Sequence, residues 1–65
     1  MPYKTNSDIN EKVRNVLPEH AQTIFREAFN KAYFEYGNEQ SAFKVAWTAV
    51  EKDYKKGPEG KWVKK

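Results

Sequence analysis

Cysteine is missing from all 65 residues, and its absence removes several chemistries at once. Disulfides, thiolate zinc sites, iron–sulfur clusters and cysteine nucleophiles are all excluded. A cysteine-free chain also fits a reducing compartment. Histidine occurs once, at His20, and position 24, one helical turn on, is Ile24, so paired imidazoles at metal-ligand spacing do not arise. His20 is expected to pack or hydrogen-bond at a helix start. No apolar run approaches the ~20 residues of a membrane span. The amino terminus, Met1 to Thr5, lacks the apolar segment of a signal peptide. A cytoplasmic, monomeric chain with no membrane insertion is therefore expected.

Catalytic signatures are equally scarce. Ser7 and Ser41 lie in no nucleophile-elbow pattern. Gly57-Pro58-Glu59-Gly60-Lys61 has the wrong spacing for a phosphate-binding loop, and Trp62 stands where Ser or Thr should follow the lysine. No pair of carboxylates is marked out by spacing for acid/base work. No enzyme activity, metal or cofactor is expected.

What the chain does have is aromatics and helical periodicity. Four Phe, four Tyr and two Trp are a generous core for this length. They matter because a chain this short buries only about 60% of its unfolded surface. A single domain over residues 1–65 is expected. From Leu17 to Gly37 the apolar residues fall at Ala21, Ile24, Phe25, Ala28, Phe29, Ala32, Tyr33 and Tyr36. This is the spacing of a one-sided helix over residues 18–36, opened by Pro18 and closed by Gly37. Phe34 alone falls on its polar face. There it either packs under the connection to the next helix or anchors a partner surface.

Before this helix, Ile9, Val13, Val16 and Leu17 share one face of a short first helix over residues 9–16. Ser7 and Asp8 stand as its cap, and Leu17 marks the break before Pro18. After it, Asn38 is placed to cap a third helix ending at Gly57. The apolar set of this helix, Ala42, Phe43, Val45, Ala46, Trp47, Ala49, Val50 and Tyr54, fills an arc of roughly 200°, wider than one packed face requires. Such a helix is expected to be central and to touch more than one neighbour. Asp53 falls inside that arc, exposed if the last turn frays and otherwise needing Arg14 or His20 as partner. Lys61 to Lys64 alternates like a short strand, for which Pro2-Tyr3-Lys4 at the other terminus is the expected partner. The fold class is mainly α: three helices with a small two-stranded terminal β-ribbon, which survives only if Tyr3 and Trp62 pack on the helices.

The net charge of +3 is unevenly placed. Residues 52–65 hold Lys52, Lys55, Lys56, Lys61, Lys64 and Lys65 against Asp53 and Glu59, a local +4, while residues 1–51 are at −1. A basic end suits an anionic partner, or merely keeps the chain soluble. With Trp62 among them, these lysines are the candidate partner-binding residues together with Phe34. The tail pattern could neutralise phosphates while the indole stacks on bases. Trp62 could equally be core for the ribbon.

The string Val13-Arg14, Leu17-Pro18, His20-Ala21-Gln22, Ile24-Phe25, Ala28-Phe29-Asn30, Ala46-Trp47, Ala49-Val50 and Gly60-Lys61-Trp62 resembles the ChaB family along nearly the whole chain. The resemblance implies a compact fold of three helices and a small terminal sheet, likened to the cyclin box. It also implies a cytoplasmic regulator acting on a cation/proton antiporter, with no catalytic residues to assign. Related sequences in large insect DNA viruses bring a nucleic-acid role as the competing reading. The chain departs from the family pattern at three places. Asn10 stands where Pro is usual, Phe43 where a polar residue or His is common, and the connection around Gly37–Gln40 is shorter than the charged insertion many members carry.

Overall fold

The structure, a computed structural model, describes residues 3–65. In chain order it has a 3-10 turn at Asn6–Asp8, a single-turn helix α1 (Glu11–Arg14), two long helices α2 (Glu19–Tyr36) and α3 (Glu39–Asp53), and an antiparallel hairpin of β1 (Tyr54–Lys56) and β2 (Trp62–Lys64). The mainly α class with three helices and a two-stranded sheet is as the sequence predicts.

Helix α2 begins where proline chemistry places it. Pro18 precedes the first helical residue, and its carbonyl accepts the Gln22 N–H at 2.9 Å. Leu17 lies outside both helices and is buried, and the Gln22 side-chain amide donates to its carbonyl at 2.8 Å. At the far end Gly37 turns left-handed, at φ 73°, and donates to the Tyr33 carbonyl. Asn38 follows at once as the cap of α3, its side chain accepting the Ser41 N–H at 2.8 Å. Two residues, Gly37 and Asn38, thus close an antiparallel helix pair.

Four sequence expectations are corrected. The first helix is one turn, not eight residues, and its cap is Asn10, whose side chain accepts the Lys12 N–H. Asp8 instead serves the turn before it, accepting the N–H groups of Lys4 and Thr5. Helix α3 stops at Asp53, because Tyr54 is already extended, at φ −131° and ψ 157°. Tyr54 keeps its burial, 4% exposed, as the first strand residue. The partner of the last strand is therefore Tyr54–Lys56, reached through the tight turn at Gly57–Lys61, and not the amino terminus. Pro2 of the expected partner lies outside the described residues. Tyr3 does pack on the helices, its ring stacked on Phe29 at 4.6 Å, but without strand pairing to residues 62–64. Lastly, α2 is the more central helix, since it packs against the 3-10 turn, α1 and α3.

The core is one cluster. Ile9, Val13 and Leu17 from the first segments meet Ala21, Phe25, Phe29 and Ala32 of α2, Ala42, Ala46 and Val50 of α3, and Tyr54. Phe25 is fully buried, with Phe43 and Trp47 of α3 edge-on to its ring at 5.4 and 5.2 Å. Edge-to-face rings add roughly 0.5–1.5 kcal/mol each beyond their buried area. In a chain without cysteine, such contacts add stability that no disulfide supplies.

Candidate functional site

The hairpin's alternation decides where the basic residues point. Tyr54 pairs with Lys64, Lys55 with Val63, and Lys56 with Trp62. Paired residues share a strand face and neighbours alternate. Lys56 and Lys64 therefore lie on the face of Tyr54 and Trp62, while Lys55 and Val63 occupy the other. Lys61 precedes β2 in the turn, Lys65 follows it with its N–H bonded to the Asp53 carbonyl, and Lys52 stands on the last turn of α3. All six lysines are exposed, but they form no single stripe.

Trp62 is partly committed to packing. Its backbone N–H donates to the Val16 carbonyl at 2.7 Å, and its ring lies 5.3 Å from that of Trp47. The ring remains half-buried beside a groove of about 370 Å³, lined by residues of the α1–α2 connection together with Lys61 and Val63. One side of Trp62 is thus core, and the other borders the surface.

Phe34 is 92% exposed, so it does not pack under the α2–α3 connection. Nor does it join the lysines. The hairpin lies at the amino-terminal end of α2, where Tyr54 neighbours the ring of His20 at 6.4 Å. From position 20 to position 34 the helix runs about 21 Å at 1.5 Å per residue. Phe34 and the basic hairpin are separate surfaces. Asp53 is exposed, so it needs neither Arg14 nor His20. Arg14 instead donates from Nε to the Ile9 carbonyl at 3.0 Å.

A third surface escaped the reading of single residues. Val45 is 39% exposed and Ala49 half-buried, on the side of α3 away from Phe43 and Trp47. The signal for it was the excess width of α3's apolar arc. One titration is displaced among the described groups: burial first, and the Glu39 carboxylate second, raise the Tyr3 phenol above its ordinary value.

The ChaB family model matches residues 9–65. This chain belongs to the ChaB family. It is 49% identical over 75 aligned positions to the Escherichia coli K12 protein named "Putative cation transport regulator ChaB", covering 100% of this chain and 99% of that one. The Shigella flexneri protein of the same name is equally similar. A solution NMR structure of a ChaB protein superposes with a TM-score of 0.90 at 49% identity, over 98% of this chain and 99% of that chain. The alignment with the ChaB relatives exceeds the 65 residues here by ten positions, so those proteins carry residues that this chain lacks. No helix in the described residues is long and apolar enough to cross a membrane.

Proposed function

We propose that this ChaB-family protein is a non-catalytic interaction module, one domain over residues 1–65, that regulates a cation/proton antiporter from the cytoplasmic side. The observation that carries the reading is similarity along the whole chain, at 49% identity, to proteins named "Putative cation transport regulator ChaB". The shape of the molecule supports it: the concavities are shallow, and the distinctive surface features are a bare aromatic, a basic hairpin and an open helix face. Such surfaces suit a protein partner better than a small substrate. The test is cation efflux from cells lacking the protein, measured with and without complementation by the wild-type chain. Slowed or unregulated efflux, restored by complementation, is the expected result. Unchanged efflux removes the reading.

A second reading, nucleic-acid binding, is favoured by one observation, the exposed Lys56 and Lys64 on the strand face of the half-buried Trp62. It predicts binding to short labelled DNA that falls steeply with salt and is lost when Lys55, Lys56, Lys61 and Lys64 are changed to Ala. The split of the lysines over two faces weighs against it, because a backbone-tracking groove needs its charges on one path. Anisotropy at low and near-physiological salt decides the matter, and no binding at low salt ends this alternative.

A further inference from the structure

We propose that the open face between α2 and α3 docks an acidic amphipathic helix of another protein. The proposal rests on the reading above that the chain works by binding protein, and it names the surface and the chemistry of what binds there.

The argument begins with α3's apolar arc. One edge of it is used internally, where Trp47 meets Phe25 and Trp62. The other edge, Val45 and Ala49, meets no comparable cover. Two shallow depressions, of about 260 and 230 Å³, share Val45 and are lined by residues of α2 and α3 alone. Their floor is Ala28 and Ala32 on α2, and Val45 and Ala49 on α3. Each pair is spaced one helical turn, so the floor is two short rows of small side chains, which meet where Val45 lines one depression with Ala28 and Ala32. A third helix can lay a ridge of larger apolar side chains over these small ones.

The other described residues leave this face bare. The connection at its end is two residues long, too short to fold back over it. Tyr3 is pinned by Asn30 and stacked on Phe29, and Lys65 is tied to Asp53 on the hairpin.

Charge selects the occupant. Lys31, Lys44 and Lys52 border the two depressions and are exposed, with Glu35 the one acid among the lining residues. A second copy docking by a two-fold axis would set this same face against itself and bring lysine to lysine. An acidic helix meets the lysines with opposite charge while its apolar ridge covers Val45 and Ala49.

The test titrates the ¹⁵N-labelled full chain with two synthetic helical peptides. Both carry leucine at i, i+3, i+4 and i+7; one has glutamate on its other face and the other has lysine. Expected are amide shifts centred on positions 28, 32, 45 and 49 with the glutamate peptide. Affinity should fall about tenfold or more in Val45→Asp and in the double variant Lys44→Glu/Lys52→Glu. These positions are exposed, so both variants should keep the wild-type circular dichroism spectrum. If Val45→Asp does not fold, the double variant carries the test. Equal binding of the lysine peptide, shifts confined to the hairpin, insensitivity to the variants, or shifts produced merely by concentrating the protein would each overturn the proposal. Regulated efflux with no docking here would leave the antiporter reading standing without this surface. Docking here with unchanged efflux would leave the surface standing and remove that reading.

Discussion

Tyr3 ties the start of the chain to the middle of α2 by three contacts of different kind. Its ring stacks on Phe29, its N–H donates to Asn30 Oδ1 at 2.7 Å, and its carbonyl accepts from Asn30 Nδ2 at 2.6 Å. Asn30 thus satisfies both backbone groups with one amide, which neither Asp nor Leu can do. Asn30→Leu should cost about 1–3 kcal/mol in urea unfolding, because both partners are left part-buried and unpaired. The phenol gives a second prediction. Its pKa is raised in the folded chain, by burial first and by Glu39 second, so the folded state holds this proton more tightly than the unfolded state. The resulting stabilisation is complete below the unfolded value near 10 and is lost as pH rises through the folded value. Melting temperature should therefore fall more steeply with pH above about 10 in the wild type than in Tyr3→Phe. Parallel curves would show that Tyr3 contributes nothing to alkaline unfolding.

Among the elements, those set by local chemistry were legible and those set by a choice of partner were not. Pro18, Gly37 and Asn38 fix the ends of α2 and the start of α3 through one missing donor, one left-handed residue and one side-chain acceptor. Each of these acts within four residues of chain. The end of α3 was not legible, because Tyr54 follows Val50 by one helical turn and reads as a fourth buried helical position, after Ala42, Ala46 and Val50, as readily as a first strand position. The strand's partner was missed for the same reason: with residues 54–56 assigned to a helix, only the other terminus remained to pair. The hairpin wins because its closing loop is short and its closure entropy small. Of the candidate site, Phe34 and the lysines were visible as residues, but their separation by the length of α2 depended on where the hairpin folds. The hairpin turn carries its own test. A Cβ on Gly57 would come 2.6 Å from the Lys61 carbonyl oxygen, and Gly60 holds φ at +84°. Gly57→Ala and Gly60→Ala should each weaken the hairpin by about 1–2 kcal/mol. Amide exchange should quicken at Lys65 and Trp62, while the amides within α2 stay protected. Unchanged exchange at both positions would mean that the turn does not hold the strands.

At the scale of the whole molecule, the α2–α3 pair has an inner side that holds the fold and outer surfaces that the fold does not need. The inner side is one aromatic cluster in which Phe25 touches Phe29, Phe43 and Trp47. Removing a buried phenylalanine costs about 3–5 kcal/mol. A chain of this size without disulfide or metal has only about 3–5 kcal/mol in total. Phe25→Ala should therefore be largely unfolded at 25 °C, with its far-ultraviolet circular dichroism reduced and its amide NMR spectrum collapsed. Phe34→Ala should change stability by no more than about 0.5 kcal/mol, because its ring is 92% exposed and supports nothing beneath it. The contrast tests the division directly, since both residues are phenylalanines on the same helix and differ only in which side they face. A folded Phe25→Ala would show that the first segments and the hairpin stand without the aromatic cluster. A destabilised Phe34→Ala would place a structural contact at a surface otherwise left free for a partner. If the division holds, variants on the outer surfaces can be compared for binding and efflux without a correction for unfolding.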